Sequence, residues 1–563
     1  MSAAHMLGQR GFDVTVFEIK KEYVGGKARS VNVPGTNWPA GYDYLPGEHG
    51  FRFFPGFYRH VTDTMKQIPM GDGSGKTAFD SLVDTETIQI LQTGKPPITM
   101  PLHFPNSLAD IVEIFAAFLE VSDELTMQEV EFFAERIWQL MTSCNDRFLD
   151  EYEGIGWWEY TAADNFCQDY RDLLVNGLTR SLVAAKAQVA STRTVGTVFL
   201  QLLYTMISPG STDTDRVLDA PTNDAWLDPW YTYLTQTLGV KYNKNHELKH
   251  FNMTSDKDFA PIASVQIQDL THNTPVPPLS YDYYLMAVPV EVASKVIQAS
   301  PNMLNADSAL NSIIQLAPNV EWMNGIQFYL TEQFDMHRGH TIYANSNWAL
   351  TSISQIQFWP DYDMTKRFNG EAKGILSVDI SSWDTPGNFN NKNAEDCTRQ
   401  EVVNEVWKQL KQEINSESQQ LTDSMVVFVY LDSDIYVPHT DPPIEPADNI
   451  TLAPADDTTT TELKNKEPLL VNLINSWTLR PNAFTNIPNL FLASDYVKTN
   501  TNLATMEGAN EAARRATNSI LDAAGSDADK CKIWPLHTPI ELEALQLLDQ
   551  KRWNEGMPWA NPI

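Results

Sequence analysis

The tightest constraint on this 563-residue chain is a short β-branched run that ends in an acid and leads into paired glycines. Asp13-Val14-Thr15-Val16-Phe17 alternates as a half-buried strand does, Glu18 closes it, and Gly25-Gly26-Lys27-Ala28-Arg29-Ser30 follows. Ahead of it, residues 2–9 suit a short helix that Gly11 breaks. Helix, turn, strand and glycine turn, in that order, form the second half of a βαβ unit, the building block of parallel, doubly wound sheets. An acid ending the second strand can accept hydrogen bonds from ribose hydroxyls. Adjacent glycines let backbone approach a pyrophosphate, and Lys27 and Arg29 would supply positive charge beside it. Taken alone, these residues also fit an ordinary strand end and glycine turn.

Two further segments carry chemistry. Leu490-Phe491-Leu492-Ala493 predicts a strand that delivers Asp495 to a loop, where a carboxylate can bind a sugar or ribityl hydroxyl. The helix predicted over 504–523 would point its free N–H groups past Met506-Glu507-Gly508-Ala509, with Gly508 leaving room for a flat ligand. The plainer alternative is a capped surface helix with Arg514 and Arg515 on its wet face. Gly47-Glu48-His49-Gly50-Phe51-Arg52-Phe53-Phe54-Pro55-Gly56-Phe57-Tyr58 interleaves aromatics with glycines around a His–Arg pair, as the wall of an apolar cavity would, or as a core segment would. Two decoys fall away. Residues 71–77 look like a phosphate loop, but Met70 stands where its first glycine belongs. His337 and His340 lack HExxH spacing, and Gly339 between them predicts a turn, so no metal site is expected.

Between these segments, residues 107–207 read as helical, with Ser107/Asp110 and Thr126/Glu129 as capping pairs. A helix is expected over 229–238 and strands over 247–251, 283–288, 326–330, 375–380 and 426–431. A further helix is expected over 290–298 and an amphipathic tail helix over 539–553. The Pro-, Asp- and Thr-rich stretch 432–467 reads as a solvated loop without chemistry. Lys+Arg 40 against Asp+Glu 72 gives a net charge of −32, which argues against nucleic acid or anionic lipid as an electrostatic partner. The greasiest run, 198–207, is too short to span a bilayer, no secretory signal is expected, and four scattered cysteines form no CxxC. A reduced, cytoplasmic protein is the expectation.

Together, Phe17-Glu18 with Gly25-Gly26-Lys27, and residues 491–498 with Met506-Glu507-Gly508-Ala509, resemble the flavin amine oxidase and phytoene desaturase superfamily. The GGK variant and the His49…Phe54-Pro55-Gly56-Phe57-Tyr58 segment most resemble plant-type carotene desaturases and hydroxysqualene dehydroxylases. The resemblance implies an α/β protein: a discontinuous Rossmann-like FAD-binding domain (1–75, 215–300, 468–530), with a mixed α+β substrate domain and large helical insert (76–214, 301–467) and a tail helix (531–563). The family's GxGxxG would end just ahead of Met1, so its first strand and glycine loop are expected to be absent. By resemblance Glu18 holds the adenosine ribose, Leu248 lies beside adenine, and Gly25, Gly26, Lys27 and Arg29 line the pyrophosphate and flavin. Asp495 meets the ribityl or pyrophosphate region and Met506, Glu507, Gly508 and Ala509 the pyrimidine edge. Phe53, Phe54 and Tyr58 would line the substrate, and His49 and Arg52 are the polar candidates at the reactive face. The implied activity is hydride transfer between FAD and a large apolar, isoprenoid-like substrate. An amine oxidase, or a degenerate flavoprotein scaffold that only binds, are the alternatives. Peripheral membrane contact through an apolar patch stays open, as does the oligomeric state.

Overall fold

Strands that are buried at nearly every position need cover on both faces, and the centre of the largest sheet is built of such strands. The computed structural model describes residues 1–50, 52–98, 107–120, 122–177, 186–207, 215–416, 420–437 and 463–562. In chain order the elements used below are α1 (Ser2–Gly8), β1 (Thr15–Glu18), β2 (Ser30–Asn32), β3 (Pro46–Glu48), α2 (His60–Met65), β4 (Thr87–Gln92), β5 (Lys95–Ile98), α3 (Leu108–Ala116), α4 (Met127–Thr142) and α5 (Thr192–Ile207). Next come β6 (Lys241–Lys244), β7 (His246–Met253), β8 (Ile262–Asp269), β9 (Tyr284–Met286), α6 (Val290–Ala299), β10 (Asn324–Leu330), β11 (Gly339–Tyr343), β12 (Leu350–Ser354) and β13 (Gly374–Ile380). The last are α7 (Arg399–Ile414), β14 (Val426–Leu431), β15 (Leu490–Leu492), α8 (Met506–Ala523) and α9 (Ile540–Asn554).

The seven-stranded sheet runs β14-β10-β13-β12-β11-β4-β5, antiparallel except where β11 lies parallel to β4. All seven residues of β10 are buried. Phe328, Leu376 and Val378 pack under Val402, Val406, Trp407 and Leu410 of α7, while Tyr329, Ile375 and Tyr430 turn to the other face against Val33 and Leu45.

A second region assembles from distant parts of the chain. β1 pairs in parallel with β6, β7 with β8 antiparallel, and β9 in parallel with β15. Among the described residues β1 has a strand partner on one side only, and its other edge faces a large cavity. Val290, Ala293, Val296 and Ile297 of α6, with Ala512, Ala516 and Ile520 of α8, cover β9 and β15. α1 packs on α8, where Asn510 Nδ2 donates to Ser2 Oγ (3.1 Å).

The helices between residues 108 and 207 gather around a core in which Trp138, Tyr152, Trp157 and Tyr170 are fully buried, with Ile90, Ile342 and Leu542 joining it. Both capping boxes form: Asp110 N donates to Ser107 Oγ (3.3 Å), and Glu129 N to Thr126 Oγ1 (3.3 Å). Four expectations need correction. The sequence pattern places no element between residues 251 and 283, yet β8 lies there, its alternation blurred by Ser264, Gln266 and Gln268. Gly339 starts a strand instead of a turn. α9 is not amphipathic: Leu542 is buried, but Ile540, Leu547 and Leu548 are exposed. Finally, the described ends of 432–467 are structured and buried, with Ile435-Tyr436 pairing Lys464-Asn465. Residues 438–462, with Thr458–Thr461, lie outside the described residues, as does Phe51. All four cysteines are unpaired. No described helix is long and apolar enough to cross a membrane.

Candidate active site

A cavity of about 2310 Å³ opens between β1, β7, β9 and the start of α8. Ordinary small-molecule pockets occupy roughly 300–1,000 Å³, so this one has room for an extended dinucleotide together with part of a substrate. Glu18, Gly25, Gly26, Lys27, Leu248, Asp495, Met506 and Ala509 all line it, and so do His49, Arg52, Phe53 and Tyr58. Segments scattered from residue 18 to residue 509 thus converge on one space.

The local reasons are visible. Glu18 ends β1 and accepts a hydrogen bond from Lys20 N (2.9 Å). Burial raises its carboxyl pKa, opposed by that N–H. Gly25 and Gly26 both have positive φ, 93° and 62°. A side chain on Gly25 would collide with Leu227, whereas one on Gly26 would meet nothing within 4 Å. Gly26 therefore presents bare backbone to the cavity. Lys27 donates from Nζ to Pro468 O. Thr505 caps α8 by accepting from Gly508 N (3.0 Å), which leaves the first N–H groups of this 18-residue helix beside the cavity. A strand-end carboxylate, open glycine backbone, a lysine and a helix N-terminus are the donor and acceptor set that a ribose–pyrophosphate–flavin ligand requires. FAD fits the residues present.

Several expected residues sit elsewhere. Arg29 does not line the cavity. Its guanidinium turns to Asp434 and to Glu467 (2.7 Å), and it also donates to Gly26 O (2.6 Å). Burial opposes its charge, but Glu467 and Asp434 more than compensate and raise its pKa. Glu507 is buried and serves α2: it accepts from the backbone N–H of Arg59 (2.9 Å), His60 (2.8 Å) and Val61 (2.9 Å), and His60 Nδ1 lies 2.6 Å from it. Gly508 is likewise off the cavity, pressed against Leu503 O, which an added Cβ would meet at 2.9 Å. Phe54 is a core residue, edge-on to Trp226. Arg514, also buried, binds Asp63 Oδ2 at 2.8 Å instead of facing water.

The sequence reading missed a buried charged cluster in the wall of the cavity, which Lys20, His49, Asp434 and Glu467 line. Lys20 pairs with Glu467 (2.8 Å) and Asp434 (3.5 Å), and His49 Nδ1 stands 2.5 Å from Asp432 Oδ2 and 3.9 Å from Asp434. Asn324 Nδ2 donates to Asp432 Oδ2 (2.7 Å). Burial works against the Asp432 and Glu467 carboxylates, yet His49 and Arg29, with Lys20 also acting on Glu467, hold both below the usual range. Asp434 is pushed up by burial and by Asp432. His49, Asp434 and Glu467 bring ligand-type atoms within 4.8 Å of one another, but a cation there would have to displace Arg29 and Lys20. The available signal was the Asp-x-Asp directly after the apolar run 426–431, because strand ends deliver side chains to sites.

A second, apolar space of about 200 Å³ adjoins the cavity and shares Phe53, Tyr58, Met323, Leu469 and Thr505 with it. Val195, Val198 and Leu202 of α5 form its far wall with Leu470, Leu473 and Leu503.

Comparisons with known proteins agree with this geometry. Several solved structures share the fold. An oxidoreductase from Methanosarcina mazei aligns at TM-score 0.55 and 11% identity over 92% of this chain and 97% of that one. Cyclohexylamine oxidase from Brevibacterium oxydans aligns at 0.55 and 11% over 93% and 96%, and a putrescine oxidase bound to putrescine at 0.54 and 10% over 93% and 96%. No curated protein matches at the sequence level. The model of the flavin containing amine oxidoreductases matches residues 1–521. The chain belongs to that family and is an FAD-dependent oxidoreductase.

Proposed function

We propose that the enzyme dehydrogenates a large, apolar, isoprenoid-like substrate. The observation that carries this reading is the apolar annex joined to the cofactor cavity. Phe53, Phe57, Val195, Val198 and Leu202 wall it, with Lys186 and Glu321 as its charged members. Such a surface gains about 25 cal/mol per Å² from covering hydrocarbon and gains nothing by desolvating an ammonium. When bound, FAD supplies a two-electron acceptor. In this reading Glu18 and Asp495 hold its hydroxyls, Gly26 and the start of α8 meet its phosphates or ring edge, and Lys27 balances charge. Phe53 and Tyr58, which line both spaces, orient the substrate, and the annex excludes water. The discontinuous cofactor domain (1–75, 215–300, 468–530) and the cap (76–214, 301–467) belong to the same proposal, as does docking at a membrane through an apolar patch.

The test is anaerobic mixing of the FAD-loaded enzyme with polyprenyl hydrocarbons in detergent and, separately, with amines. Bleaching of the flavin band by the hydrocarbons and not by amines is expected. The reverse pattern would establish amine oxidation instead, the second reading, which the names of the putrescine and cyclohexylamine oxidases favour.

A further inference from the structure

We propose that His49 is the proton acceptor of the active site, with Asp432 as its positioning residue. The inference rests on the dehydrogenase reading above and adds the residue that completes its proton balance.

Removing two hydrogens from neighbouring atoms breaks two bonds. One C–H leaves with its electron pair as hydride, taken up by FAD. The neighbouring C–H, O–H or N–H gives up a proton, and the pair it leaves behind becomes the new π bond. The hydride has a destination in the cofactor, whereas the proton needs a base on the protein.

His49 has the geometry of that base. It lines the cofactor cavity and is only 7% exposed. Its Nδ1 stands 2.5 Å from Asp432 Oδ2, a charge contact outside hydrogen-bond geometry, and its buried Nε2 has no protein partner among the described residues. A buried imidazole used only for packing normally satisfies both nitrogens. Asp432 is itself held, by Asn324 Nδ2 at 2.7 Å and by Asp434 N, which donates to its other oxygen at 3.1 Å. The backbone of His49 is fixed to β10 through Gly325 N, which donates to His49 O at 2.7 Å. Gly325 is required for this approach, since a Cβ there would meet His49 O at 2.9 Å. A carboxylate on Nδ1 selects the tautomer with its proton on Nδ1 and a free lone pair on Nε2, the form that accepts a proton and whose resulting charge Asp432 stabilises.

Other charged groups near the ring are committed. Asp434 and Glu467 pair with Arg29 and Lys20, and Arg52 donates to Gly50 O and lies beside Glu48 and Asp379. The rival role for His49 is a structural one, a permanent imidazolium as the third cation opposite the carboxylates of Asp432, Asp434 and Glu467.

Nitrogen-15 NMR of histidine-labelled, FAD-loaded enzyme distinguishes the two without any substrate. At about pH 8 the expected spectrum has one His49 nitrogen protonated, Nδ1, and Nε2 bare, and Asp432→Asn redistributes the tautomers. Both nitrogens protonated at that pH, or a spectrum unchanged by Asp432→Asn, would overturn the proposal. With a reducing substrate, His49→Gln should slow anaerobic flavin reduction roughly 10²–10⁴-fold at unchanged FAD content. Asp432→Asn should slow it less and alter its pH profile. A His49→Gln enzyme as fast as wild type would also overturn it. If no hydrocarbon reduces the wild-type flavin, the substrate reading fails, while the NMR still decides the role of His49.

Discussion

At the residue scale, Ser494 shows how local backbone strain becomes measurable. It has φ 97°, a region that favours glycine, directly before Asp495. Strain of this kind costs on the order of 1–3 kcal/mol, of which glycine's greater freedom in the unfolded chain returns part. Ser494→Gly should therefore raise stability by about 1 kcal/mol, read as a higher thermal midpoint, with FAD retained. Glu48 makes a second prediction. Burial pushes its carboxyl up to about 7, opposed by Arg52 and by Thr222, whose N–H and hydroxyl donate at 2.9 and 2.8 Å. Because the folded pKa lies above the unfolded value, the native state binds the extra proton. This contribution is fully favourable below the unfolded pKa and is lost as pH rises to about 7. Glu48→Gln should flatten the fall in stability between roughly pH 4.5 and 7, a term of up to about 3 kcal/mol, measurable by urea unfolding across pH. That Glu18, the glycine pair, Lys27 and Asp495 would line one cavity was legible because their setting is local: a strand end or a turn. Arg29 was not, because its partner Asp434 lies 405 residues away in sequence.

At the element scale, chemistry confined to a few neighbouring residues was also legible. The capping boxes at Ser107 and Thr126 are four-residue devices, and both form. Thr126→Ala should cost about 1 kcal/mol by freeing the first N–H groups of α4, and should loosen the insert without releasing FAD. Thermal unfolding and flavin fluorescence check the two halves of that statement. Elements whose residues answer to distant partners were harder to read. β8 is held by β7 across a register shift and carries glutamines on its half-buried side. α9 docks through Asp549, which takes Arg147 Nη2 at 2.8 Å and Cys144 N at 2.9 Å, with Leu542 and Leu545 as its apolar contacts. A polar anchor leaves no periodic hydrophobic signal.

At the scale of the whole molecule, the annex makes the most direct prediction. Val198→Trp adds bulk between α5 and Phe53, so it should lower turnover of long hydrocarbons more than tenfold while FAD content stays unchanged. Comparing rates for long and truncated substrates checks it, because short ones should be spared. The acidity has also found a place. Asp432, Asp434 and Glu467 come from the stretch that looked like solvated loop, yet they lie at the wall of the site. The remaining consequence concerns how such a chain reaches its native state. β1 needs β6, over two hundred residues later, and α1 leans on α8, with Asn510 reaching Ser2 across 508 positions. On a ribosome the first strand emerges long before its partners, and closing such loops is slow. Cofactor capture must then be a late event, after the chain is released. Until that moment the early segments stay unpaired, and a shortage of flavin would be felt first as aggregation of new protein, before any loss of activity in the old.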